Sequence, residues 1–234
     1  MQVLPKDFID SNKNSPEFDQ DYLCEFTSVS NIIWSDWNDE LHISSKAQLS
    51  TTLPLWIGMD FNVSPMSAQV FHKIGSSLHL VDEIQMFDSN IFEMCDEIQQ
   101  RYPRSQQKII IPDASGGARS TAAVIGFSEI KHLRETFGTG NVKVRSKNPN
   151  VADTITSVEV LLREQRLLVN PQCKAAISAF RNYSYKPNTR VPLKDGKYDH
   201  AADCIRYAGH HIFPYKKQKL PAGNLPSSWQ DIFM

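Results

Sequence analysis

The sequence has no run of 18 or more consecutive apolar residues, so it offers no membrane-spanning helix. Met1-Gln2-Val3-Leu4-Pro5 does not open a signal peptide. Its four cysteines, Cys24, Cys95, Cys173 and Cys204, stand far apart with no C-x-x-C pair. That argues against zinc and disulfide scaffolds and favours a reducing, cytoplasmic setting. No G-x-x-x-x-G-K-[ST] phosphate loop occurs, which excludes a nucleotide-driven motor of that kind. Positive charge is scarce at first: residues 1–100 carry 4 Lys and Arg against 16 Asp and Glu. Residues 101–210 reverse the balance with 18 against 9, and 211–234 add 3 against 1. The net charge of −1 therefore conceals two halves of opposite sign. Such an asymmetry points to a basic surface for a polyanion, with upstream acids that gather a cation or face something else.

What remains is ordinary globular material: 234 residues, 41% hydrophobic, enough to bury a core in one large domain or a domain with tails. Residues 1–53 read as a lead-in or linker, within which 17–26 form a short amphipathic helix with Phe18, Tyr22 and Phe26 on one face. Strand-like apolar runs follow at 55–61, 68–74 and 78–84, the last two joined by a Gly75-Ser76-Ser77 hairpin turn. Ser89-Asn90 can cap a helix over 91–101, and 108–113 is a further strand. Residues 141–145 are expected as a fifth strand, with helices over 151–165, 171–182 and 199–213. The tail from Pro214 reads as flexible. Strands first, then alternating helix and strand, make an α/β fold: a mixed five-stranded sheet with helices on both faces.

Three acids stand out by position. Asp60 ends the first strand, Asp113 ends the fourth, and Asp203 lies on the last helix with Asp199 and His200 one turn earlier. Ligands bind beyond the carboxyl ends of strands in open α/β sheets. Carboxylates crowded there repel one another, and a bound cation relieves the cost. Hard oxygen donors favour Mg²⁺ or Mn²⁺ over zinc. Two such ions about 3.5–4 Å apart are the template for cutting phosphodiesters, one activating the attacking water and the other stabilising the leaving oxygen. Asp203 can act with either Asp199 (i, i+4) or His200 (i, i+3), and that choice stays open.

Gly58-Met59-Asp60-Phe61-Asn62, Ile111-Pro112-Asp113-Ala114-Ser115-Gly116-Gly117 and the 198–207 segment around Asp199, His200 and Asp203 resemble three acidic motifs. These are the motifs of the nuclease domain of tailed-bacteriophage terminase large subunits, over roughly 55–213. Residues 18–26 resemble the segment that closes the ATPase domain in those proteins. The resemblance implies an RNase H-like fold and a double-stranded DNA endonuclease that cuts viral DNA during genome packaging. It implies Asp60, Asp113 and Asp203 as catalytic, metal-binding acids holding two Mg²⁺ or Mn²⁺, with His200 or Asp199 completing the set. It also implies work in the host cell cytoplasm beside a terminase ATPase domain, the portal protein and the small terminase subunit, with no membrane. Without a phosphate loop, the expectation is an isolated nuclease domain over 54–213, between the lead-in and a tail over 214–234.

Basic residues gather where such an enzyme needs phosphate contacts. Lys143, Arg145 and Lys147 alternate, so an extended segment points all three to one face. Lys186, Arg190, Lys194 and Lys197 mark a basic hairpin or loop before the last helix, and Arg119 follows the Gly116-Gly117 turn. Contacts of this kind would be largely sequence-independent and weakened by salt. Two other readings compete: another RNase H-like polynucleotidyl enzyme (an RNase H, a resolvase or a transposase core), or a non-catalytic module docking DNA or portal.

Overall fold

The computed structural model describes residues 31–62, 64–114 and 128–215. The amphipathic helix expected over 17–26, Arg119 and nearly all of the tail lie outside them.

Five strands form one mixed sheet: β1 (Leu55–Asp60), β2 (Met66–Ile74), β3 (Ser77–Met86), β4 (Lys108–Pro112) and β5 (Leu167–Val169). Their order is β4-β1-β2-β3-β5. The β1–β2–β3 meander is antiparallel, while β4 joins β1 and β5 joins β3 in parallel. Gly75, at φ 58°, sits in the β2–β3 turn, a conformation open to glycine.

Six helices are present among the described residues: α1 (Asp39–His42), α2 (Ile91–Arg101), α3 (Glu129–Phe137), α4 (Val151–Arg163), α5 (Lys174–Asn182) and α6 (Asp199–Ile212). Their starts are written locally. Asn90 accepts from the Phe92 and Glu93 amides to cap α2, and Asn150 accepts from Ala152 at α4. α5 has no capping side chain of its own; Glu83 on β3 accepts from its Ala175 and Ala176 amides, each at 2.9 Å.

Strand alternation divides the core. Leu55, Ile57 and Met59 of β1 pack with α2 and α3. Phe71, Leu78, Leu80 and Ile111 pack with α4, α5 and α6 on the other face. Residues before Pro54 join that second layer: Ile33 and Trp34 are buried, and Trp37 stacks on Phe180 with centroids 4.4 Å apart.

The sequence places the fifth strand at 141–145, but the strand is Leu167–Val169. Val142 makes one isolated parallel bridge to Ile110, and the ladder stops there. The Lys143 amide donates to the Ile110 carbonyl, so Ile110 and, two residues on, Pro112 turn their backbone groups toward this segment. Pro112 has no N–H to give.

Candidate metal centre

Parity along β1 and β4 sets the site. Trp56, Gly58 and Asp60 point to the α6 face, opposite Leu55, Ile57 and Met59. β1 and β4 are in parallel register with Gly58 beside Ile111 and Met59 beside Pro112, so the next step pairs Asp60 with Asp113. Both strand ends therefore deliver a carboxylate to the same face, as expected from the sequence.

α6 lies directly over them because Gly58 leaves room. A Cβ there would overlap the Cys204 carbonyl oxygen, so the helix backbone rests on β1 where glycine has no side chain. The same contact brings Asp203 and His200 over Asp60. His200 Nδ1 stands 3.0 Å from Asp60 Oδ2, and Asn62 Nδ2 donates to that same oxygen at 2.8 Å. Asp60 is 6% exposed. Burial raises its carboxyl above the ordinary 3.8, the His200 contact opposes the rise, and the charge of Asp203 adds to it.

Asp113 is half-buried and held by both oxygens. Asn148 Nδ2 donates to Oδ1 at 2.6 Å while Asn148 Oδ1 accepts from the Ala114 amide, and Tyr207 donates to Oδ2 at 3.1 Å. The Tyr207 hydroxyl registers all three acids. Burial first, then the charges of Asp203, Asp113 and Asp60, push it well above its usual range, with Arg206 opposing.

Asp203 is more committed than the sequence indicates. It is 2% exposed, and its Oδ1 accepts from Arg206, which is 3% exposed and also bonded to Thr154. Its Oδ2 accepts from Lys194 Nζ at 2.6 Å. Lys194, expected as a DNA contact, thus stands against the acidic cluster. Asp199 is buried one turn before Asp203 on α6, and the charges of both acids act on Tyr183. Its Oδ1 has no hydrogen-bond partner among the described residues. Of the two open candidates, His200 is the one that reaches Asp60.

Oxygens from three aspartates and one imidazole nitrogen are donors that suit a hard divalent cation. A buried Asp60 beside a second carboxylate is the kind of charge that a cation relieves. Yet among the described residues no group of three or more His, Cys, Asp or Glu stands arranged to hold an ion. The fit is one of chemistry and placement; amides, a tyrosine, a lysine and an arginine hold the carboxylates in this state.

The basic residues divide around the acids. A cleft of about 450 Å³ is lined by Asp113, Lys186, Lys194, Arg206 and Tyr207. Lys186 lies on a hairpin closed by the Tyr185–Pro192 bridge, and on the same hairpin the Arg190 guanidinium lies 5.5 Å from the Tyr185 ring centroid. Lys143 and Arg145 are exposed and border a smaller hollow with His210 and His211. Burial, then Arg145, lowers both histidines below their usual range. Lys147 and Lys197 are exposed. A separate cavity of about 540 Å³ surrounds Lys108 at the start of β4 and contains none of the acids.

Sequence reasoning passed over Asn62, Asn148, Arg206 and Tyr207. Arg206 and Tyr207 were within reach of it, since they follow Asp203 by three and four residues on one helical face. Asn62 follows Asp60 by two, whereas nothing local connects Asn148 with Asp113.

The architecture matches solved structures. The large terminase of a thermophilic bacteriophage superposes with a TM-score of 0.70 and 18% identity, over 90% of this chain and 52% of that one. The P22 large terminase nuclease domain gives 0.61 at 13% identity, over 82% of this chain and 97% of the domain. The SPP1 large terminase nuclease domain with bound Mn gives 0.53 at 16%, over 73% and 96%. This is the RNase H-like fold of large-terminase nuclease domains. The chain spans about half the length of the thermophilic-phage large terminase. No protein-family model and no curated protein sequence matches it. Among the described residues, no helix is long and apolar enough to cross a membrane.

Proposed function

We propose that this chain is a metal-dependent endonuclease cutting double-stranded DNA, serving viral genome packaging as a terminase nuclease in the host cell cytoplasm. The observation that carries the reading is the register of β1 and β4, which puts Asp60 and Asp113 side by side beneath Asp203 and His200. Bound Mn in the similar SPP1 nuclease domain supports a divalent cation here. Asp60, Asp113, Asp203 and His200 would hold two Mg²⁺ or Mn²⁺, which supply activation of the attacking water and stabilisation of the leaving 3′-oxygen. Asn62 fixes the Asp60 carboxylate, and Asn148 with Tyr207 fixes that of Asp113, so the acids meet the substrate already oriented. Lys186, in the cleft beside Asp113, binds backbone phosphate, and Lys143, Arg145, Lys147, Arg190 and Lys197 extend that surface. An ATPase domain, the portal protein and the small terminase subunit complete the proposed setting.

Supercoiled plasmid incubated with Mn²⁺ or Mg²⁺ should become nicked and linear, with EDTA or Asp60→Ala abolishing the conversion. Cleavage unchanged in Asp60→Ala would overturn the site. A second reading, a DNA-docking module that keeps the acids without using them, draws on the neutralisation of Asp203 by Arg206. Plasmid retarded in a gel but uncut at any metal concentration would favour it. An RNA–DNA hybrid degraded in preference to plasmid would move the assignment to an RNase H.

A further inference from the structure

The two oxygens of Asp203 are held by partners of opposite character. Arg206 is buried, 3% exposed along its side chain, and is tied to Thr154 as well, so it cannot leave without unpacking α6 from α4. Lys194 is 59% exposed along its side chain and reaches Asp203 Oδ2 from the segment that leads out of the basic hairpin. Just beyond it, Asp195 and Gly196 turn the chain, with Gly196 at φ 76°. A single flexible stem therefore brings an ammonium to the one face of Asp203 that Arg206 leaves open.

We propose that Lys194 is a removable internal counter-ion of the carboxylate cluster, occupying Asp203 Oδ2 until a divalent cation displaces it, an exchange that bound DNA favours. The inference rests on the cation-site reading above and assigns Lys194 a role in controlling it. An ammonium 2.6 Å from an oxygen and a divalent ion on that same oxygen exclude one another by charge and by space. The cleft that Lys194 lines with Lys186 and Asp113 gives its ammonium somewhere to go. A phosphodiester oxygen entering there offers Lys194 a new anion as Oδ2 is released. Cation loading and DNA binding would then favour each other, by linkage in both directions.

The test is Mn²⁺ titration calorimetry on the full chain, without DNA, comparing wild type, Lys194→Met and Asp60→Ala. Methionine keeps the stem and removes the charge, and the metal-free melting temperature checks that the fold is kept. Lys194→Met should bind Mn²⁺ about tenfold more tightly, within the usual range of coupling between competing and cooperating ligands. The same Mn²⁺ should raise its melting temperature further than that of wild type. Unchanged or weaker affinity in Lys194→Met, with Asp60→Ala losing the ion, would overturn this role for Lys194 and leave the cation site standing. Wild type and Asp60→Ala binding Mn²⁺ equally, or not at all, would overturn the cation site and the inference with it.

Discussion

Asp60 is an acid of the candidate site whose carboxyl pKa is raised by burial. It is buried, it lies close to Asp203, and its favourable partners are one amide and one imidazole. A carboxyl whose folded pKa is raised favours the fold in its protonated form; that contribution is complete below the ordinary 3.8 and is lost as pH rises through the raised value. Asp60→Asn removes the charge and keeps the shape. We expect it to melt at a higher temperature than wild type at neutral pH without metal, with the difference shrinking as pH falls and vanishing below the ordinary value. Melting curves from pH 3 to 8 would check this; a variant less stable than wild type at pH 7 would contradict it. Under the proposed function the same substitution should abolish plasmid cleavage, a trade of activity for stability. Lys194 and Arg206 show why residue roles were only partly legible in sequence. A lysine in a basic run reads as a phosphate contact, and only the folded hairpin shows its ammonium on a carboxylate.

At the scale of elements, the placement of α6 on β1 decides whether the acids meet at all. Gly58 permits it, because any Cβ there strikes the α6 backbone rather than a side chain that could turn aside. Gly58→Ala should cost about 1–3 kcal/mol by overpacking, and should weaken Mn²⁺ binding as α6 lifts away from Asp60. Urea denaturation and the same Mn²⁺ titration would read both effects; unchanged values for both would mean that α6 is not held in place by this contact. Elements with a strong period were readable from sequence. β1 to β4 and the helices α2, α4, α5 and α6 fall close to where alternation, capping asparagines and helical spacing put them. β5 was not, since three residues after a long helix carry no period and gain their pairing from β3, far away in sequence. Residues 141–145 have the alternation of a strand, yet a proline on the neighbouring strand ends their ladder. Packing of Ile33 and Trp34 against α5 is equally a matter of long-range contact, so a polar lead-in gave little sign of it.

At the scale of the whole molecule, the division of charge along the chain acquires a spatial meaning. The acid-rich first half supplies Asp60, while the basic second half supplies Lys143, Arg145, Lys186 and Arg190, along with Asp113 and Asp203. Lys186 shares a cleft with Asp113, and Lys143 and Arg145 border a neighbouring hollow, so positive charge lies beside the acidic centre, as the proposed binding of a polyanion requires. The fold is shared with the thermophilic-phage, P22 and SPP1 proteins at 13–18% identity, and the order of the two strand-end acids and the helix acid is legible in the sequence alone. The most direct measurement is anomalous diffraction from a crystal soaked in Mn²⁺. The account predicts manganese peaks between Asp60, Asp113 and Asp203, with His200 beside them and the Lys194 ammonium moved off Asp203. Manganese absent from this cluster, or bound elsewhere while Lys194 keeps hold of Asp203, would contradict it.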